Sequence, residues 1–239
     1  MNKIKLMYDI AKTMKEKELF NGSLQVECVK DLSTVFQMNN EFSKDLSTGL
    51  TKANIKTKLD YEGKSFKHES STEFTHPWNS HPHGHRNKGK HPHFYHFRHC
   101  GNGQCGHGHS GLKGIFSGLT FAFDLLNRTE ITEQPDNTIL MTLEMDQLPK
   151  ELQKMLTHKF KEEYGEEQEQ EGTYRTHHHG HSLMKELHAL ENPSLKLISR
   201  INKNNEIESI DVTLSGKQID DQQEIHVLNL NAKITFLYN

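Results

Sequence analysis

Apolar and polar residues alternate most clearly between residues 50 and 75. In the first half of this segment, Ala53, Ile55 and Leu59 alternate with lysine and other polar residues. A period of two residues is typical of a β-strand with one buried and one solvated face. A turn at residues 62–63 separates this strand from a second alternating run, so the sequence predicts a long antiparallel hairpin.

Similar patterns divide the rest of the chain into an N-terminal helix, further strands and a few helices. Apolar residues recur at helical spacing over residues 3–19. Alternation returns at Leu24, Val26 and Cys28, and Cys28 is therefore expected in the core. Later strands are predicted near 128–133, 137–145, 195–202, 206–215 and 223–238, and helices over 111–127, 148–163 and 182–191.

Turn residues and one change of parity refine these elements. Polar turn sequences at residues 135–137 and 203–205 each separate two predicted strands, and Ser215-Gly216 is expected to help form another turn. In the last strand the apolar positions change parity between Val227 and Leu228, which predicts a β-bulge.

These elements define an α+β fold. We expect an N-terminal helix followed by a long antiparallel, curved sheet of about eight or nine strands, with helices in the crossovers. A single domain should cover residues 1–239, with a His/Cys-rich insert at 76–109 and an acidic, then His-rich, linker at 161–181. A helix followed by long, half-buried, meandering strands resembles the lipoprotein-carrier family, whose half-barrel cradles acyl chains beneath a helical lid. The resemblance lies in element order and strand length.

Composition limits the class of function. The chain has 239 residues, 33% of them hydrophobic, a net charge of -3 and a mean hydropathy of -0.81. A weakly acidic chain gives no electrostatic reason to bind nucleic acid. The sequence has no apolar run long enough for a transmembrane helix, and residues 1–20 do not resemble a signal peptide. We therefore expect a cytoplasmic protein, although the lipoprotein carriers are exported.

Histidine is concentrated in two segments. Ten of the 18 histidines and two of the three cysteines lie between residues 76 and 109. Neutral imidazole is the commonest protein metal ligand, and a reduced thiolate binds Zn²⁺ well. The candidate metal ligands are His81, His83, His85, His91, His93, His96, His99, Cys100, Cys105, His107, His109, His177, His178, His179 and His181.

The spacing of these ligands points to a divalent transition metal. Cys100, Cys105, His107 and His109 supply two sulfurs and two nitrogens, as tetrahedral zinc requires, although this spacing matches no standard zinc module. The composition is similar to that of nickel-handling chaperones and of zinc-transporter loops. We therefore predict a protein that binds Zn²⁺ or Ni²⁺ for storage, buffering, delivery or sensing.

Other interpretations stay open at the level of sequence. The histidine-rich segments could be unselected expansions. Alternatively the protein carries or senses an apolar small molecule on the concave sheet face, lined by residues such as Leu59, Phe66, Phe74, Ile210 and Leu230. An enzyme is less expected, because no catalytic motif is present and none of the residues can be assigned a catalytic role. His68, on the apolar side of its strand, is expected to be a core residue.

Overall fold

The structure, a computed structural model, describes residues 2–61, 63–75, 123–149, 152–153, 183, 186–187, 189–219 and 223–238. In these residues an N-terminal helix precedes nine antiparallel strands of one open sheet, which confirms the predicted helix and sheet. The elements are α1 (Lys3–Glu16), β1 (Leu19–Lys30), β2 (Ser33–Asp45), β3 (Leu50–Tyr61), β4 (Lys64–Thr75), β5 (Glu130–Glu133), β6 (Ile139–Met145), β7 (Glu191–Ile201), β8 (Ile207–Ile219) and β9 (Ile225–Leu237).

The sheet consists of two meanders that lie side by side. Strands β1 to β4 pair in sequence order, as do β5 to β9, and β9 pairs with β1. The first and last strands are therefore neighbours, and Cys28 lies opposite Leu230. Strands β4 and β5 are consecutive in sequence but form the two opposite edges of the sheet.

Helix α1 begins at a polar cap and packs through a narrow apolar stripe. The Asn2 side chain accepts hydrogen bonds from the backbone N–H groups of Ile4 and Lys5, at 3.0 and 3.2 Å, which satisfies two donors at the helix start. Leu6 and Ile10 are buried. The helix ends at Glu16, three residues before the predicted end, because the extended strand β1 starts at Leu19.

The predicted turns and the predicted bulge had different outcomes. The β3–β4 hairpin and the turns at 135–137 and 203–205 are confirmed, with Asn137 and Asn205 in the left-handed region that asparagine tolerates. The bulge predicted at Val227 and Leu228 is wrong, because both residues pair with β8 without a register shift. Val227 instead keeps the parity of the polar face and is 42% exposed.

Gly216 does not form the predicted turn. It lies inside β8, where a Cβ atom would come within 3.1 Å of the Leu190 side chain. This glycine therefore makes room for close packing and does not form a turn. An irregularity absent from the prediction occurs in β2, where Val35 has no partner in the pairing with β1.

The predicted crossover helices are described only in part. Residues 123–128 are helical and form the end of the helix predicted over 111–127. Helical residues also occur at 152–153, 183 and 186–187. The rest of these three segments lies outside the described residues, except for residues 148–149 and 189–191, which are not helical.

Candidate functional site

One face of the sheet is apolar across nearly its whole width. Because successive residues of a strand point to opposite faces, directly opposed residues form rows that share a face. One such row, the Leu59 row, crosses eight strands without a polar residue. From β4 to β6 it consists of Phe66, Leu59, Phe36, Cys28, Leu230, Leu214, Leu195 and Met145.

Two further rows extend this surface along the strands, and the three rows together are called the apolar face. The Val26 row contains Thr57, Met38, Val26, Ala232, Val212, Leu197 and Leu143. The Leu24 row contains Ile55, Asn40, Leu24, Ile234, Ile210, Ser199, Met141 and Ile131.

The opposite face of the sheet is polar and carries ion pairs between neighbouring strands. Lys56 Nζ lies 2.9 Å from Glu69 Oε1, and Lys196 Nζ lies 2.6 Å from Glu144 Oε1. All four side chains are about half exposed. The difference between the two faces explains the alternation in the sequence, and it identifies the apolar face as the side that needs a cover.

Helix α1 covers one end of the apolar face on strands β5 to β8. Leu6 and Ile10 belong to a buried cluster with Met141 and Ile201, and Met14 packs against it. The N-terminus of the helix is held by Lys3, whose ammonium group donates to the carbonyl oxygens at the end of the helical residues 123–128. The Nζ–O distance to Thr129 is 2.6 Å.

A second segment covers the other end and is called the cap segment (described residues 183, 186–187 and 189–190). Leu183 and Leu190 are buried against Cys28, Leu59 and neighbouring apolar residues, and Leu187 packs beside them. The Val26 row lies between the two clusters and belongs to neither. Its members are half-buried. Among the described residues, therefore, fully buried side chains occur toward the two ends of the apolar face, and the Val26 row between them has none.

A partly buried ion pair fastens the cap segment to the sheet. Lys30 Nζ at the end of β1 lies 2.7 Å from Glu186 Oε1, and the two side chains are only 19% and 14% exposed. The same ammonium group lies 5.6 Å from the centre of the Tyr61 ring, a cation–π contact. Glu186 Oε2 is buried and finds no hydrogen-bond donor among the described residues.

Cys28 is a buried thiol whose pKa is influenced by both members of this ion pair. The residue is fully buried, as predicted. Burial and, secondarily, the Glu186 carboxylate raise the pKa of the thiol to about 11. Since the thiolate is the form that binds metals and attacks electrophiles, burial and the raised pKa disfavour Cys28 as a metal ligand or a nucleophile.

An aromatic cluster extends the apolar face beyond the Leu24 row. Phe20, Phe42 and Tyr238 each contact Phe236, with ring centres 6.2 to 6.3 Å apart. The Tyr238 hydroxyl donates to the Ile207 carbonyl at 2.6 Å, and burial raises the pKa of this phenol to about 12. Lys17 forms an ion pair with Glu206 and also lies 4.9 Å from the centre of the Tyr238 ring.

The residues predicted to line an apolar site lie on the apolar side of the sheet. Leu59 is buried, Ile210 and Leu230 are half-buried, and Phe66 is 48% exposed near the edge. His68 is an exception to the prediction. It is exposed and stacks on Phe66 with ring centres 6.1 Å apart, because β4 is an edge strand and leaves this side chain open to solvent.

The candidate metal ligands between residues 81 and 109 and between residues 177 and 181 all lie outside the described residues. In the part of the chain that the structure describes, no group of three or more histidine, cysteine or acidic side chains could hold a metal ion. The metal-binding interpretation therefore still depends on the sequence alone.

A groove of about 330 Å³ lies near the β4 edge. Lys56, Lys67 and Glu69 contribute to its lining, so it suits a polar molecule better than an apolar one.

The sequence did not predict the Lys30–Glu186 ion pair, since nothing in the sequence relates two charged residues 156 positions apart.

No family model matches the chain, and no curated protein matches it. Among the described residues, no helix has the length and apolar character needed to cross a membrane.

Proposed function

We propose that this protein binds an extended apolar ligand, such as a fatty-acyl chain, along the apolar face of its sheet. The observation that carries the proposal is the Val26 row, which is apolar from Met38 to Leu143 and lies, half-buried, between two clusters that contain buried residues. Half-buried apolar side chains in the middle of a sheet face are a surface on which further apolar atoms would be stabilised.

The dimensions and energies are adequate for such a ligand. Neighbouring strands lie about 4.8 Å apart, so a row that crosses six or seven strands is roughly 25–30 Å long. Burial of each methylene contributes about 0.8 kcal/mol, and ten of them contribute about 8 kcal/mol before the entropic costs of binding. A micromolar dissociation constant corresponds to about 8 kcal/mol. A longer acyl chain or a few polar contacts with the ligand would offset the entropic costs of binding.

The alternation of the strands provides a matched pair of variants. Ala232 is the smallest apolar side chain of the Val26 row and lies between Val26 and Val212. The adjacent residue, Asn231, points to the polar face and is exposed. Ala232→Trp fills the proposed site with a large ring, whereas Asn231→Trp places the same ring on the opposite side of the sheet.

The experiment is a titration of the purified full chain with a fluorescent acyl probe such as cis-parinaric acid, followed by displacement with unlabelled fatty acid. We expect saturable binding by the wild type and by Asn231→Trp, and at least about tenfold weaker binding by Ala232→Trp. Circular dichroism and thermal unfolding establish that both variants are folded. Absence of saturable binding by the wild type, or equal loss in both variants, would refute the proposal.

We propose transition-metal binding as a second function, on the strength of the ten histidines and two cysteines between residues 76 and 109. The burial of Cys28 reduces the set of candidate thiolate ligands, because it leaves Cys100 and Cys105 as the thiols that could coordinate the metal. Zn²⁺ or Ni²⁺ are the ions that this mixture of imidazole and thiolate favours.

A further inference from the structure

We propose that two copies of this chain pair edge to edge through β4, so that their sheets join into one. Strand β4 is an edge strand of 12 residues, and no strand of the described residues pairs with its outer side. Ten of its 12 residues are exposed. The opposite edge, β5, has only four residues. A long exposed edge presents unpaired backbone N–H and C=O groups, which can pair with another extended strand.

The side chains of β4 are complementary to those of a second, antiparallel copy of β4. A two-fold axis through Ser70 places Lys67 opposite Glu73 of the partner subunit, and this pair occurs twice. On the apolar side the same axis places Phe66 opposite the partner's Phe74, also twice. Opposite charges and paired aromatic rings across neighbouring strands are each stabilising.

The charge pattern favours this register over the two adjacent ones, and the pairing of Phe66 with Phe74 is specific to it. The apolar faces of both copies lie on the same side of the joined sheet only if residues of the same parity are paired. Moving the axis to Glu69 places Glu69 opposite the partner's Glu69, and moving it to Ser71 places Glu69 opposite the partner's Glu73. Both shifts bring carboxylates together, whereas the axis through Ser70 does not.

The charges within one subunit favour the same arrangement. Glu69 and Glu73 face lysines on β3, with Nζ–O distances of 2.9 and 3.2 Å. Lys67, in contrast, lies opposite Lys58. Like charges directly opposite one another are destabilising, and the partner's Glu73 would offset the positive charge at this position.

Edge charges can also prevent pairing, and a charge-reversal experiment distinguishes the two roles. The oligomeric state of the full chain is measured by sedimentation velocity and by light scattering over a range of concentrations. EDTA is present throughout, so that the histidine-rich segments cannot link molecules through metal. We expect a concentration-dependent dimer for the wild type.

Each single variant, Lys67→Glu or Glu73→Lys, replaces two attractive pairs by two repulsive ones and should weaken dimerisation at least about tenfold. The double variant K67E/E73K restores both pairs and should dimerise like the wild type. A mixture of the two single variants should form a heterodimer, since the carboxylates of one variant then face the ammonium groups of the other at both pairs. Lys203→Glu, the same charge change in a turn far from β4 in the sequence, is the control.

A wild type that stays monomeric at every concentration overturns the proposal. So does a dimer that both single variants form as well as the wild type. These outcomes leave the proposed acyl-chain site unaffected, because that site lies within one subunit.

Discussion

Phe42 and Phe236 meet edge to face, with ring centres 6.2 Å apart, although their strands are not neighbours. Strand β1 lies between them, and its residue at this level is Gly22, which pairs with Phe42 on one side and Phe236 on the other. The absence of a side chain at Gly22 lets the two rings close over the strand. A strand glycine covered by aromatic rings in this way loses little of the packing that a side chain would supply.

Gly22→Ala should therefore destabilise the protein. The added Cβ would overlap the Thr235 carbonyl oxygen and come within 2.9 Å of the Phe42 ring, so both the backbone pairing and the aromatic contact must shift. We expect a loss of about 2–3 kcal/mol in the free energy of unfolding, measured by denaturant titration. Gly63→Ala is the control, since a Cβ there meets nothing within 4 Å. Gly63 has φ +71°, and its variant should lose only about 1 kcal/mol. Equal losses in the two variants would contradict this account.

The Lys30–Glu186 pair should stabilise the cap segment more than a surface ion pair does. Both side chains are less than 20% exposed, so removal of one leaves the other partly buried and without its counter-charge. We expect Glu186→Gln to cost about 1–2 kcal/mol in thermal or denaturant unfolding, which is less than for a fully buried pair. The double variant K30M/E186L should lose less than the sum of Lys30→Met and Glu186→Leu alone.

The matched control for this prediction is Glu144→Gln, which breaks an exposed pair with Lys196. Exposed pairs contribute little, and we expect a change within about 0.5 kcal/mol. If Glu186→Gln were as mild as Glu144→Gln, the cap segment would not depend on this contact.

Alkaline pH should destabilise the protein through Cys28. Burial raises the pKa of this thiol from 9.0 to about 11, so the folded state holds the proton more tightly than the unfolded state does. The resulting stabilisation is fully present below pH 9 and is lost as the pH rises from about 9 to about 11. Two pKa units correspond to about 2–3 kcal/mol.

Comparison with Cys28→Ala separates this effect from that of Tyr238, whose pKa is also raised, to about 12. Cys28→Ala should be less stable at neutral pH because it leaves a small cavity, but its stability should fall less steeply between about pH 9 and about pH 11. Parallel pH profiles for the two proteins would show that the thiol does not contribute.

Local pattern predicted the strands and their faces, because alternation depends on neighbouring residues only. Ala53, Ile55 and Leu59 lie on the apolar side, as their spacing predicts. The same pattern does not predict burial correctly where burial depends on whether a neighbouring strand is present. His68 has the parity of the apolar side, but it is exposed because β4 is an edge.

Contacts between residues that are distant in sequence account for the features that the sequence did not predict. The pairing of β1 with β9 joins the ends of the chain, and no periodicity within either strand specifies it. The local sequence wrongly predicts a turn at Gly216, because the role of this glycine depends on Leu190, which packs against it from another segment. The apolar face was therefore predictable strand by strand, whereas its half-buried middle row depends on the strand order and on what covers the two ends.

Metal binding by the histidine-rich segments is the remaining prediction. Protein stripped with EDTA should bind Zn²⁺ or Ni²⁺ more tightly than about 10 μM at about pH 7.5 in isothermal titration calorimetry. Ligand imidazoles must be deprotonated, and their ordinary pKa is about 6.5, so binding should be much weaker at about pH 5. Deletion of residues 81–109 should remove most of the binding, whereas deletion of the acidic residues 161–171 serves as the control.

The role of the two cysteines can be separated from that of the histidines. Replacement of both Cys100 and Cys105 by serine should weaken Zn²⁺ binding at least about tenfold if the thiolates coordinate the ion, because sulfur is one of its preferred ligands. Unchanged affinity would leave a site made of imidazoles alone. Affinity that survives deletion of residues 81–109 would contradict the assignment of the metal site to this segment.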